Sequence, residues 1–128
     1  MLVVDDYVDS AEIISTYIEI LGHECRFAVR GYEALEIAAT FRPDIVILDL
    51  DLPDLHGCEV ARMLRRTTET PLQLIALTGS ARPADRDRAS AAGFDRFFVK
   101  PVGLAALGEI LAQAGATASA AAVARGPA

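Results

Sequence analysis

The apolar and polar positions of the chain form two alternating patterns, short apolar runs and longer segments with helical spacing or composition. The short runs, which are typical of strands, lie near residues 1–4, 24–29, 45–48, 72–78 and 96–99. The longer segments, which predict helices, follow them at residues 9–21, 31–41, 58–66, 83–92 and 103–114. Strands that alternate with helices in this way predict a parallel sheet with helices on both faces.

The topology follows from the way such strand–helix units connect. Right-handed crossovers leave few arrangements, and the usual one at this length is a flavodoxin-like (βα)5 doubly wound parallel sheet with strand order 2-1-3-4-5. The continuous apolar run IVIL at residues 45–48 is typical of a strand that is covered on both faces. The sequence therefore predicts the α/β fold class.

Local residues predict where several helices begin and end. Asp9, with Glu12 three residues later, is typical of a helix N-cap. Gly22 and Gly93 are typical of the position that follows a helix C-terminus. Pro43 marks the break after the second predicted helix.

The length of 128 residues suits one domain with one core. We assign residues 1–114 to this domain and expect residues 115–128, which are rich in alanine, to be a low-complexity tail or a disordered linker. The first strand begins at residue 1 or 2, which leaves no room for an upstream element. Two possibilities remain open: the chain is a stand-alone protein, or it is a fragment of a longer one.

Charge and composition exclude some classes of function. The formal net charge of −6 argues against nucleic-acid binding by this domain. No apolar run approaches the roughly 20 residues of a membrane helix, and MLVVDD lacks the basic region of a secretory signal. Cys25 and Cys58 have no metal-type spacing, so two separate small thiols are expected. We therefore expect a cytoplasmic domain without membrane contact.

Polar side chains stand at the ends of four of the five predicted strands. Asp5 and Asp6 follow the first strand, Asp49 follows the third, Thr78 ends the fourth and Lys100 follows the fifth. Ligands of such sheets bind outside the carboxyl ends of the strands, close to the point where the strand order reverses. Each residue alone has an ordinary structural explanation, but together they predict one functional site.

The chemistry of these side chains predicts phosphoryl transfer. Packed carboxylates repel one another unless a cation joins them, and an oxygen-only set suits Mg²⁺ or Mn²⁺. A carboxylate such as Asp49 can act as a nucleophile and form an aspartyl phosphate. Lys100 and the hydroxyl of Thr78 would then neutralise charge on the phosphoryl oxygens. In the predicted strand order, Lys100 must reach across roughly 10 Å to Asp49.

The segments LVVDD, ILDLDLPDLHG, ALTG and FFVKP together resemble the receiver domain of two-component response regulators. The resemblance covers residues 2 to about 112 and concerns both the type and the order of the motifs. It implies that Asp49 is the phosphoacceptor. It further implies that Asp6, Asp49 and the backbone carbonyl of Asp51 bind Mg²⁺, and that Asp5 acts mainly through water.

The resemblance also implies partners and a switch. Asp49 would receive its phosphoryl group from a histidine kinase or a histidine phosphotransfer protein. Thr78 and Phe97 match the switch pair of the family, and Pro101 matches its cis-proline. The surface of the fourth helix, fifth strand and fifth helix would then contact a downstream protein or a second copy of the chain. Residues 78–102 resemble receivers that are fused to hybrid sensor kinases.

A few residues depart from the family pattern. Tyr7 follows the acidic pair where the family often has a polar residue, and Leu52 stands where methionine is common. Phe97 lacks the hydroxyl of a switch tyrosine, so its inward movement would leave no buried hydroxyl without a partner. Asp51 and Ser80 flank the entry to the phosphoryl group and are expected to tune its lifetime.

An enzyme is the main competing hypothesis. Asp49-Leu-Asp51 also matches the DxD motif of haloacid-dehalogenase-type phosphatases, with Asp49 as nucleophile, Asp51 as general acid, and Thr78 and Lys100 in support. That family places its metal-binding acids after the lysine, whereas residues 101–128 contain a single acid. We therefore predict a signalling phosphoacceptor that catalyses only its own phosphorylation and slow dephosphorylation.

A binding module with an inactive site and a flavin-binding flavodoxin are less consistent with the residues at the strand ends. The complete set of strand-end residues argues against the inactive module. The acidic loop after the first strand, which would repel phosphate, argues against the flavodoxin.

The remaining charged side chains have ordinary interpretations. His23 and His56 lack ligand spacing and are expected to be solvated turn residues. Arg82, Arg86 and Arg88 alternate with acids on the fourth helix and predict a solvated face.

Overall fold

The computed structural model describes residues 1–68, 71–79, 82–101, 103 and 105–112, and every structural statement refers to these residues. The predicted order of elements is confirmed. The elements are β1 (Leu2–Val4), α1 (Val8–Ile20), β2 (Arg26–Ala28), α2 (Gly31–Phe41), β3 (Ile45–Asp49), α3 (Gly57–Thr67), β4 (Gln73–Thr78), α4 (Pro83–Ala92) and β5 (Arg96–Val99), followed by helical residues 105–112, named α5. The predicted tail at 115–128, the end of the last predicted helix and Ser80 lie outside the described residues.

The described strands form one parallel sheet in the order β2-β1-β3-β4-β5, as predicted. In the centre of the sheet, Val4 lies opposite Leu48, and Leu48 lies opposite Ala76. The strand order reverses between β1 and β3, so the loops that follow these two strands diverge and leave a crevice at their carboxyl ends. The flavodoxin-like fold is confirmed.

Two apolar layers cover the sheet, because successive strand residues point to opposite faces. On one face, Val4 and Leu48 pack with buried residues of α2, α3 and α4. On the other face, Val3 and Ile47 pack with residues of α1 and α5. Every residue of β3 is buried, which confirms the strand predicted from IVIL.

Cys25 and Cys58 are buried and unpaired, as predicted. They belong to the apolar layers on opposite faces of the sheet, so the sheet itself separates the two thiols.

The end of α1 confirms the prediction for Gly22, but its beginning corrects the prediction for Asp9. Gly22 has a φ of 95°, the left-handed region that glycine enters without strain. The helix begins at Val8 rather than after Asp9, and its N-cap residue Tyr7 has no side-chain cap. The Asp5 carboxylate accepts a hydrogen bond from the Tyr7 N–H at 3.0 Å, which orders the turn before the helix. Asp9 therefore lies within the first turn.

Asp54 caps α2 across a long stretch of sequence. Its carboxylate accepts hydrogen bonds from the N–H groups of Gly31 at 2.8 Å and Tyr32 at 2.9 Å. Partial desolvation opposes ionisation, but these backbone donors outweigh it and lower the pKa of Asp54. The loop after β3 is thereby fastened to the start of α2.

No helix among the described residues is both long enough and apolar enough to cross a bilayer.

Candidate functional site

The carboxyl ends of three neighbouring strands carry three buried polar side chains. Asp5 directly follows β1 and is fully buried, and Asp49 ends β3 with 3% of its surface exposed. Thr78 ends β4 and is also buried. Two buried carboxylates in adjacent positions need a compensating cation, since an isolated buried charge is heavily penalised.

Lys100, which directly follows β5, supplies that cation. Its Nζ donates to Asp49 Oδ2 at 2.6 Å and to Asp5 Oδ2 at 3.3 Å. Because β4 lies between β3 and β5, the lysine side chain crosses one strand to reach Asp49. The prediction that Lys100 bridges this gap is confirmed.

The site holds more negative than positive charge. Carboxylate oxygens of Asp5, Asp6 and Asp49 all lie within 4.8 Å of one another, and Asp6 is exposed at the mouth of the crevice. Among the described residues of the site, these three carboxylates outnumber the one ammonium group, that of Lys100, and leave an excess of negative charge. Hard oxygen donors with an open side are the donor set that Mg²⁺ prefers. The residues present therefore fit a magnesium ion.

Burial and neighbouring charges shift the pKa values of Asp49 and Lys100 in opposite directions. Burial raises the pKa of Asp49, and the hydrogen bonds from Lys100 and the Asp51 N–H only partly counter it. Burial alone would lower the pKa of Lys100, but its hydrogen bond to Asp49 and the two carboxylate charges raise it. Lys100 is therefore held firmly as an ammonium ion, and Asp49 depends on cations for its charge.

Backbone groups of the loop after β3 fix the orientation of the Asp49 carboxylate. The Asp51 N–H donates to Asp49 Oδ1 at 3.0 Å. The Asp51 side chain is exposed, and the residue forms an isolated bridge with His56. Both oxygens of Asp49 thus have a donor, Oδ1 from the backbone and Oδ2 from Lys100.

His56 corrects the prediction of a solvated turn residue. It is half-buried, and its Nδ1 accepts a hydrogen bond from the Cys58 N–H at 3.1 Å as the N-cap of α3. The bridge with Asp51 brings the loop after β3 back to the start of α3, a contact that spacing along the chain does not reveal. Burial, together with the charge of Arg88, lowers the pKa of His56. His23 is exposed in the turn after α1, as predicted.

Phe97 and Phe98 point to opposite faces of β5, as predicted. Phe97 is half-buried against the layer of α2, α3 and α4, and Phe98 packs with the layer of α1 and α5. The peptide bond between Lys100 and Pro101 is cis, which confirms the expectation for Pro101. The switch roles of Thr78 and Phe97 stay predictions.

The arginines of α4 are exposed, as predicted. Arg82 pairs with Asp85 at 3.3 Å. The guanidinium of Arg86 lies over the ring of Phe97, 5.2 Å from its centroid, a contact that no spacing along the chain indicates.

A groove of about 750 Å³ opens beside the crevice, between α1 and α5. Asp5 and Lys100 lie at one end, and its walls include the exposed apolar side chains of Tyr7 and Ile13.

Comparison with known proteins gives one consistent result. The family model of the response regulator receiver domain matches residues 1–112. The probable transcriptional regulator ycf27 of Cyanophora paradoxa is 37% identical over 101 residues, which are 79% of this chain and 41% of ycf27. The polar-differentiation response regulator DivK of Brucella anthropi is 30% identical over 103 residues, which are 80% of this chain and 84% of DivK. The chain thus spans less than half the length of ycf27 but most of DivK.

Solved structures agree with the sequence comparisons. The chemotaxis protein CheY4 of Vibrio cholerae is similar with a TM-score of 0.82 and 26% identity, over 88% of this chain and 95% of CheY4. A CheY-like receiver domain from Methylobacillus flagellatus has a TM-score of 0.77 and 31% identity, over 88% of this chain and 95% of that domain.

Proposed function

The chain belongs to the response regulator receiver domain family, and we propose that Asp49 is its phosphoacceptor. The donor is a phosphohistidine of a histidine kinase or a histidine phosphotransfer protein. The observation that carries the proposal is the position of the Asp49 carboxylate, which lies in a crevice at the strand ends between the ammonium of Lys100 and the N–H of Asp51.

The transfer step uses groups that already lie in the crevice. An oxygen of Asp49 attacks phosphorus, a new O–P bond forms as the N–P bond breaks, and the electron pair returns to the donor imidazole. Lys100, which contacts Asp49 at 2.6 Å, neutralises charge that builds up on the phosphoryl oxygens. The Thr78 hydroxyl turns toward the same oxygens.

Receiver domains bind Mg²⁺ at an acidic pocket, and we assign that role here to Asp6, Asp49 and the backbone carbonyl of Asp51. Asp5 acts through water and holds Lys100 by their direct contact. When bound, the ion supplies positive charge to the phosphoryl oxygens and screens the carboxylates from one another.

The groove between α1 and α5 is the site at which we place the donor. It leads from the exposed apolar side chains of Tyr7 and Ile13 to Lys100. An apolar docking surface beside a charged crevice would hold the donor protein while its phosphohistidine reaches Asp49.

The output is a change of the surface formed by α4, β5 and α5. Thr78 and Phe97 lie at the carboxyl end and in the middle of neighbouring strands β4 and β5. A movement of Thr78 toward the phosphoryl group lets the Phe97 ring move inward, which alters the surface for a downstream protein or a second copy of the chain. Receiver domains are signalling proteins rather than conventional enzymes, and we propose that this one acts in the cytoplasm.

One experiment separates this function from that of a phosphatase. The chain is incubated with Mg²⁺ and excess acetyl phosphate, and intact mass and released phosphate are followed together. We expect a single phosphate on wild type, none on Asp49→Asn, and a changed lifetime but intact labelling in Asp51→Asn. Rapid multiple turnover that Asp51→Asn abolishes would instead favour the haloacid-dehalogenase-type mechanism.

A further inference from the structure

The contact between Arg86 and Phe97 joins two elements of the output surface. The guanidinium carbon of Arg86, on α4, lies 5.2 Å from the centroid of the Phe97 ring, on β5. This separation is within the range of a cation–π interaction. A similar pair, Arg96 and Phe98, lies within β5 itself and cannot link that strand to a helix.

No ion pair among the described residues explains the position of Arg86. Its side chain is exposed, whereas Arg82, the N-cap residue of α4, pairs with Asp85. The buried residues of α4 are only Ala89 and Ala92. Small side chains bury little apolar area, so α4 is held weakly by its own packing. The stack of Arg86 on Phe97 therefore adds a contact between α4 and β5 to the apolar packing of Phe97 against the layer that contains Ala89 and Ala92.

The stack can persist only while the ring lies near the surface. Phe97 is half-buried, and the guanidinium that covers it is solvated. If the ring moved into the interior, Arg86 would have two alternatives. It could follow the ring into an environment of low dielectric constant that offers no counter-charge, or it could lose the contact. Burial of an unpaired cation costs far more than a cation–π contact returns. The contact thus favours the outer position of the ring.

We propose that Arg86 is a positioning residue that holds Phe97 outward and so opposes activation of the domain. The inference rests on the proposed function, because it concerns the ring that moves when Asp49 is phosphorylated. A phosphoryl analogue that binds the active state must draw the domain out of its resting state. A contact that favours the resting state by a given factor therefore weakens binding of the analogue by that factor. Removal of the Arg86 stack should therefore tighten that binding.

A double-mutant cycle tests the proposal. The dissociation constant of beryllofluoride, a phosphoryl analogue, is measured by calorimetry in Mg²⁺ for wild type, Arg86→Leu, Phe97→Leu and the double variant. We expect Arg86→Leu to bind about two- to fivefold more tightly than wild type, the range that an exposed cation–π contact supports. In the Phe97→Leu background, Arg86→Leu should have no effect. Arg86→Lys, which keeps a cation over the ring, should remain close to wild type.

The cycle separates the stack from simple loss of charge, because a Coulombic effect of Arg86 on the bound anion would persist in the Phe97→Leu background. The proposal is overturned if Arg86→Leu changes the dissociation constant equally in both backgrounds. It is also overturned if Arg86→Leu leaves the wild-type dissociation constant unchanged or raises it. If wild type binds beryllofluoride and the cycle shows no coupling, only the role of Arg86 fails. If wild type does not bind beryllofluoride, the proposed function fails and the role of Arg86 fails with it.

Discussion

At the scale of single residues, three aspartates at the end of β3 and in the loop after it lie in three different environments. Asp49 is buried beside Lys100, the Asp51 side chain is exposed, and Asp54 caps the start of α2. The sequence ILDLDLPD shows all three as acids near the end of a strand and offers no means to separate their environments. The separation comes from the folded loop, which directs each carboxylate to a different set of donors.

Replacement of Asp54 by alanine should destabilise the fold by about 1 kcal/mol, the usual cost of a lost helix cap. The reason is the loss of two backbone hydrogen bonds, to Gly31 and Tyr32. Urea unfolding at neutral pH measures the loss, and Asp87→Ala, at an exposed position of α4, is the control. Equal stability of Asp54→Ala and Asp87→Ala would contradict the capping role.

The same pair of proteins should show a defined pH dependence. The pKa of Asp54 is lowered in the folded state, so its stabilisation is complete above the unfolded pKa of about 3.9 and is lost as the pH falls through the folded pKa. The stability difference between wild type and Asp54→Ala should therefore be full at pH 7 and shrink at about pH 3. A difference that grows in acid would show that the carboxylate is not the capping species.

Gly57 is required by the close approach of two backbone segments. A Cβ at this position would lie 2.6 Å from the backbone oxygen of Asp49 and 2.7 Å from the Cα of Leu50. Gly57→Ala should therefore cost about 1–3 kcal/mol and disturb the loop that orients Asp49. Gly103→Ala, where a Cβ meets nothing within 4 Å, is the matched control. Equal thermal midpoints of Gly57→Ala and Gly103→Ala would refute the steric explanation.

At the scale of the elements, Arg65 joins the end of α3 to the segments before β4 and β5. Its guanidinium donates to the Gly93 carbonyl at 2.7 and 3.1 Å, to Asp95 at 2.8 Å and to the Leu72 carbonyl. Asp95 also accepts from the Leu74 N–H at 2.8 Å. One side chain of α3 thus ties together the connection before β4 and the connection before β5, at the edge opposite the functional site.

Arg65→Met should destabilise the fold by about 1.5–3 kcal/mol, since hydrogen bonds to charged groups contribute more than neutral ones and three acceptors each lose the guanidinium as a donor. Arg66→Met, the adjacent exposed position of α3, removes the same charge and should have little effect. Chemical denaturation of both variants is the measurement. Comparable losses of unfolding free energy in Arg65→Met and Arg66→Met would mean that the positive charge, rather than the hydrogen bonds, contributes the stability.

Element bounds were predictable where the signal is local. The bounds of α2, α4 and β5 agree with those predicted, because glycine, proline and apolar spacing mark them within a few residues. The start of α1 was not predictable, since the Asp5 carboxylate orders the turn before the helix through the N–H of the N-cap residue Tyr7. The cap of α2 comes from Asp54, 23 residues beyond Gly31, and local sequence patterns cannot reveal such a partner.

At the scale of the whole molecule, the site was predictable because a parallel sheet brings strand ends together at one edge. Asp5, Asp49 and Lys100 could be placed there from the strand order alone, and their contacts agree. The contact between Arg86 and Phe97 could not be predicted, because it depends on the position of α4 relative to β5 rather than on any spacing.

Magnesium should stabilise the folded chain, because the carboxylates of Asp5, Asp6 and Asp49 come together only in the fold. Binding to the native state alone raises its stability by about 2.7 kcal/mol when the ion is at 100 times its dissociation constant. The thermal midpoint of wild type should therefore rise with Mg²⁺ and fall back when the ion is chelated. Asp6→Asn should reduce the rise, whereas Asp9→Asn, an exposed acid of α1, should not. A wild-type midpoint that does not respond to Mg²⁺ would contradict the metal assignment.

Chemical trapping can identify the carboxylate that receives the phosphoryl group. The chain is phosphorylated in Mg²⁺, treated with borohydride, which reduces an acyl phosphate to the alcohol, and sequenced by tandem mass spectrometry. We expect homoserine at position 49 and unmodified aspartate at positions 5, 6, 51 and 54. Homoserine at any of those other positions, or no homoserine anywhere in the chain, would refute the assignment of Asp49 as the phosphoacceptor.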